Sequence, residues 1–168
     1  MDDRPLILTG VLDEPVRRWL DDLRERHFPP QRNHLAAHLT LFHALPADDA
    51  DAVTADVRAA ASERPPLAAT VTGPRLLGRG VALRIDCPEL LALRRSLAAR
   101  RADRLTRQDA TKNDLHVTVQ NKVDPDTARR LYDELAALEP QATTVTGLAL
   151  WRYDGGPWAP AGRFAFGG

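Results

Sequence analysis

Residues 37–46, AHLTLFHALP, and residues 114–123, DLHVTVQNKV, decide how this 168-residue chain folds. Each sets a histidine and a threonine two apart inside an apolar run. Successive side chains of a strand point to opposite faces, so Leu39 and Leu41 face a core while His38, Thr40 and Phe42 share the other face. In the second stretch Leu115, Val117 and Val119 turn inward, and His116, Thr118, Gln120 and Lys122 form a polar stripe. An ordinary solvent-facing strand carries mixed charges on its outer side. Two stripes that each open with His-x-Thr point instead to one shared site.

Around these stretches, alternation and short apolar runs predict strands at 6–12, 38–45, 67–73, 80–86, 115–123 and 143–152, with helical patterns at 14–26, 48–62, 88–102 and 125–138. Asp13-Glu14-Pro15, Asp86-Cys87-Pro88 and Asp124-Pro125 place a proline where a helix begins. Residues 154–162 form a turn or loop, and RFAF at 163–166 adds a last strand. The order strand, helix, motif strand, helix, strand runs through 6–73 and again through 80–152. Leu12-Asp13-Glu14-Pro15 parallels Ile85-Asp86-Cys87-Pro88, HLTL parallels HVTV, and Ala69 to Gly73 parallels Thr143 to Gly147. The parallels predict an internal duplication within a single bilobal domain spanning 1–168. The expected fold class is α+β, with two pseudo-twofold-related lobes, each with an antiparallel sheet and flanking helices, around a central cleft. Residues 38–43 and 115–122 are then expected as neighbouring central strands whose imidazoles open into that cleft.

With 23 basic and 23 acidic residues the formal net charge is zero, so affinity for phosphate must come from a local cluster rather than from a global field. Cys87 is the only cysteine, which excludes an intramolecular disulfide and fits a reducing, cytoplasmic setting. The acidic start MDDRPLILTG is wrong for a signal peptide, and no apolar run reaches the length of a membrane span. A cytoplasmic monomer without membrane contact is expected. The only lysines, Lys112 and Lys122, flank the second motif.

Two histidines facing each other suit a reaction that removes one proton and delivers another in the same step. Attack of water on a 2′,3′-cyclic phosphate is such a reaction: a base takes a proton from water while an acid serves the departing ribose oxygen. The threonine hydroxyls, one strand step away, would hydrogen-bond the non-bridging oxygens, and Lys122 would add charge. The scheme requires no metal or other cofactor, and the sequence lacks an obvious carboxylate cluster to hold one.

These residues resemble the two-histidine (2H) phosphoesterase superfamily, specifically its bacterial 2′-5′ RNA ligase and RNA 2′,3′-cyclic phosphodiesterase group. The resemblance rests on His38-Leu39-Thr40-Leu41 and His116-Val117-Thr118-Val119 together with the duplicated lobes, and so spans nearly the whole chain. It implies that His38 and His116 are acid and base, in an order left open, and that Thr40 and Thr118 bind phosphate. It also implies hydrolysis of a 2′,3′-cyclic phosphodiester, on an RNA end or a nucleotide, to a 2′-phosphate, with reversible 2′-5′ ligation and no metal. Many relatives carry an arginine shortly after the second motif, where this chain reads Gln120-Asn121-Lys122. Lys122 would substitute as a point charge without the bidentate fork, and Arg152 and Arg163 are the other candidates.

Of the other histidines, His34 and His38 have the spacing of helical zinc ligands but lack the accompanying glutamate. His43 is expected as a hydrogen-bonded structural histidine, and His27 as a cap on its helix dipole. Phe42, Trp151, Tyr153 and Trp158 are candidates for stacking on a base, Phe42 because it shares the face of His38. A non-catalytic module that holds an RNA end is the competing reading, and intact His and Thr in both motifs favour the enzyme.

Overall fold

The computed structural model describes residues 2–167. Seven strands, β1 (Leu6–Leu12), β2 (Leu39–Leu45), β3 (Leu67–Leu76), β4 (Val81–Asp86), β5 (His116–Gln120), β6 (Gln141–Arg152) and β7 (Ala159–Ala165), form one antiparallel sheet. Five helices lie between them: α1 (Glu14–His27), α2 (Ala50–Ser62), α3 (Pro88–Ala99), α4 (Arg107–Thr111) and α5 (Pro125–Ala136). The fold is α+β. Proline in the first turn starts α1, α3 and α5, where its missing N–H costs nothing. Each longer helix then buries one apolar stripe: Val16, Leu20 and Leu23; Val53, Val57 and Ala61; Leu90, Leu93 and Leu97; Ala128, Leu131 and Leu135. These stripes join the inward residues of the strands in a single core.

The strand order is β2-β1-β6-β3-β4-β5, with β7 paired to β6 beside β3. Exchanging β1 with β4, β2 with β5 and β3 with β6 returns the same order read backwards. Irregularities repeat as well. Leu12 pairs with Val145 and Val11 with Gly147, skipping Thr146; Ile85 pairs with Val71 and Arg84 with Gly73, skipping Thr72. The antiparallel pairing of β3 with β6 makes the sheet continuous across the two halves.

The motif strands are not neighbours at the centre of this sheet. They are its two outer strands. In a flat sheet β2 and β5, five spacings apart, would lie about 24 Å from each other. Their Cα atoms instead come within 8 Å. The sheet must therefore bend strongly, and the bend brings the two motifs together.

A third repeated irregularity lies in the motifs. Along β2, Thr40 pairs with Thr9 but Phe42 pairs with Leu8, so Leu41 is an extra residue. Along β5, Thr118 pairs with Ala82 but Gln120 pairs with Val81, so Val119 is extra. A bulge shifts the alternation by one. Phe42 and Gln120 consequently turn into the core, at 0% and 2% exposure. The β3–β4 turn packs directly against the second bulge, where a Cβ on Gly80 would collide with the Gln120 carbonyl.

Candidate active site

His38 immediately precedes β2 and His116 opens β5, both half-buried. Each ring is held by the residue two positions earlier. His38 Nδ1 lies 2.9 Å from the Ala36 carbonyl oxygen, and His116 Nδ1 lies 3.0 Å from Asp114 Oδ2. Both partners only accept, so each Nδ1 carries a hydrogen and the neutral ring keeps its lone pair on Nε2. Both histidines are therefore set to exchange a proton through the same nitrogen.

Two buried arginines bind the halves to each other. Arg24 of α1 donates to the Thr118 carbonyl at 3.0 Å and to Asn33 Oδ1 at 2.9 Å. Arg94 of α3 donates to the Leu41 carbonyl at 2.8 Å and to the Asp109 carbonyl, with its guanidinium over the Phe42 ring. Thus each half anchors the other half's motif strand beside its bulge. The fully buried Asp109 carboxylate accepts from the backbone N–H groups of His43 and Ala44 at 2.8 and 2.9 Å and faces His43 Nδ1 at 3.3 Å. Burial opposes its ionisation, but these hydrogen bonds prevail and hold it below the usual carboxylate range.

The histidines sit in unlike surroundings. Burial pushes His38 below the ordinary histidine value; the Ala36 carbonyl works against this, while the charges of Arg24, His43 and His116 add to it. His38 lines a 280 Å³ cavity with Thr9, Val117, Trp151 and Arg163, and the Trp158 ring lies 4.6 Å from its own, centroid to centroid. Burial also lowers His116, helped by the charge of Lys112 and opposed by Asp114. Asp114 is shared with Arg75, which pairs with the same carboxylate oxygen.

Thr40 and Thr118 lie two residues beyond the histidines, and neither hydroxyl has a hydrogen-bond partner among the described residues. Phe42 is not available for stacking: the bulge at Leu41 seals it in the core under Arg94. Gln120 is buried by the corresponding bulge, and its Oε1 is left without a partner. Lys122 is exposed on the turn after β5, in the left-handed region at φ 63°, outside the polar stripe expected of it. Arg152 is occupied elsewhere, donating to the Arg4 carbonyl at 2.8 Å. Arg163 does line the His38 cavity. The 34–38 segment is not helical, so the His34/His38 spacing does not bring two ligands to one face, and among the described residues no three His, Cys, Asp or Glu side chains are grouped to hold a metal.

Sequence reasoning noted Lys112 only as a flank of the second motif and passed over Asp114, Arg24 and Arg94. Asp114 had a local signal, because two residues before His116 in extended chain is the same face. The arginines had none, since their partners lie 94 and 53 residues away.

A bent antiparallel sheet that brings a His-x-Thr from each outer strand to one place defines a two-histidine phosphoesterase fold. The sequence matches the 2′-5′ RNA ligase superfamily over residues 12–157, and the chain belongs to that superfamily. No protein of curated function matches it. Similar solved structures include a phosphoesterase (20% identity, 98% of this chain and 99% of that one, TM-score 0.67), TT0787 of Thermus thermophilus (18%, 98% and 98%, TM-score 0.69) and E. coli LigT complexed with 3′-AMP (19%, 98% and 99%, TM-score 0.64). Among the described residues no helix is long and apolar enough to cross a membrane.

Proposed function

We propose that the chain, acting as one bilobal domain over 1–168, is a metal-independent phosphoesterase that hydrolyses 2′,3′-cyclic phosphates of RNA ends or nucleotides to 2′-phosphates. The observation that carries this reading is the matched hold on the two imidazoles, which leaves Nε2 of each as the exchanging nitrogen. His116 is the base: it takes a proton from water as the water oxygen bonds to phosphorus, and Asp114 stabilises the imidazolium that forms. His38, with no carboxylate partner and with Arg24 nearby, releases its proton to O3′ as the P–O3′ bond breaks. The products are a 2′-phosphate and a 3′-hydroxyl, and the same path with a 5′-hydroxyl attacking in place of water would join a 2′,3′-cyclic phosphate end to it as a 2′-5′ linkage. Thr40 and Thr118 are placed by the same scheme on the non-bridging oxygens, where negative charge grows. Lys112, rather than Lys122, is the lysine whose charge reaches His116.

The test is incubation of the protein, in chelator, with a panel of 2′,3′-cyclic nucleotides and cyclic-phosphate-ended oligoribonucleotides, followed by identification of the phosphate position in the product. Release of 2′-phosphates is expected. Tight binding of RNA ends with no turnover of any cyclic phosphate would replace the enzyme with the end-binding module.

A further inference from the structure

We infer that the half carrying His116 holds a second phosphate-binding site, built by Arg75, Arg84 and Arg95 around the 740 Å³ cavity behind Asp114. The inference rests on the phosphoesterase reading only for where the substrate lies. Arg84 is the register partner of His116 across β4 and β5, and directly paired residues lie on one face of a sheet. On the other side of Arg84, β3 presents Gly73, where an added Cβ would meet nothing within 4 Å, so the space above the guanidinium's strand is open.

On the α2–α3 side of the same half, Arg100, Arg101 and Arg104 pair with Asp56, Asp49 and Asp48. Arg84 and Arg95 are exposed, and among the described residues neither has a carboxylate within ion-pair distance, although Asp86 shares the cavity wall. Arg75 has Asp114 as its partner, a carboxylate already engaged by His116. Three guanidinium groups around one open cavity, two of them without an ion-pair partner, suit a phosphate ester, which they can grip bidentately. The cavity beside His38 carries Trp151 and Ala149 together with Arg17 and Arg163. A strand lying across both walls would set a base against the tryptophans and its next phosphate among the arginines.

The site is tested with 2′,3′-cyclic CMP, its 5′-phosphorylated form, and a cytidine dinucleotide ending in the cyclic phosphate. In the wild-type protein the extra phosphate should raise kcat/KM about ten-fold, the worth of one charge-assisted hydrogen bond, and the gain should shrink as salt rises. In the Arg84→Gln/Arg95→Gln variant, with circular dichroism as a fold check, the ratio of extended to simple substrate should fall below about two-fold. If the phosphate is a free effector, the ratio is flat, but inorganic phosphate changes kcat for cyclic CMP in the wild type and not in the variant. That outcome supports the site with a different source. A flat ratio with no arginine-dependent effect of inorganic phosphate overturns it. If no cyclic phosphate is turned over, the phosphoesterase reading fails by itself. The site is then read from tryptophan quenching by 2′-CMP and its 5′-phosphorylated form. Tighter binding of the 5′-phosphorylated form in the wild type but not in the variant supports the site, and equal binding of the two in the wild type overturns it.

Discussion

The halves that carry His38 and His116 share a backbone device and differ in chemistry. Both motif strands are outer strands, both bulge at the fourth motif residue, and both rings are held at Nδ1 from two positions back. Around His38 the holder is a neutral carbonyl and the wall carries Trp151 and Trp158. Around His116 the holder is a carboxylate and the neighbours are Lys112, Arg75 and Arg84. The difference teaches that one scaffold repeated in two halves can be given unequal roles by a few side chains. In the proposed mechanism the common geometry would set where the protons move, and the unlike surroundings which way each one goes.

The most severe way to break this comparison is to remove its centre. His38→Ala and His116→Ala should each cost about 10²- to 10⁴-fold in turnover of a cyclic phosphate, and the double variant should lose less than the product because the pair serves one transition state. Near-normal turnover by either single variant would end the two-histidine mechanism. Thr40→Ala and Thr118→Ala probe whether the halves contribute equally to the phosphate oxygens: each should cost about 10²-fold in kcat, the scale of one lost oxyanion donor, and unequal losses would show which half carries the growing charge. Asp114→Asn sharpens the contrast between holders. It should slow turnover about ten-fold by weakening a charge-assisted hydrogen bond to His116.

The pH profile reads the same contrast more gently. Both histidines are lowered chiefly by burial, so the bell in kcat/KM should lie on the acid side of the ordinary histidine value. A bound phosphate favours the imidazolium forms, so the kcat profile should be displaced to higher pH. Asp114→Asn removes an influence that raises His116, and its limb should move further down. If His116 is the base, that limb is the acidic one; movement of the alkaline limb would exchange the roles.

The smallest effect is on the pH dependence of stability. A histidine whose folded pKa is lowered binds fewer protons than the unfolded chain, so stability is lost as pH falls below the unfolded value. Thermal midpoints should drop between pH 8 and 5, and drop less in His38→Ala. By contrast, Phe42→Ala should lower the unfolding free energy by about 3–5 kcal/mol at every pH, which would set it apart from a base-stacking residue.

Most elements were legible because their signals are local. The prolines at 15, 88 and 125 mark helix starts, apolar spacing marks helix faces, and the two His-x-Thr runs mark their strands. The repeated landmarks reached further and proposed a pairing of halves from order alone. The short helix α4, which carries Asp109, was missed because five residues show no periodicity. Phe42, Gln120 and Lys122 were misplaced for one shared reason. Strict alternation assumes unbroken pairing with the neighbouring strand, and a bulge is a property of that pairing, not of the strand that bends. The primary structure thus carried the residue types, their spacing and the two His-x-Thr motifs. Only the folded sheet decided which residues face the cleft, that the motifs close from opposite ends, and that Arg24 and Arg94 cross to hold them, because each depends on contacts between segments 31 to 94 residues apart.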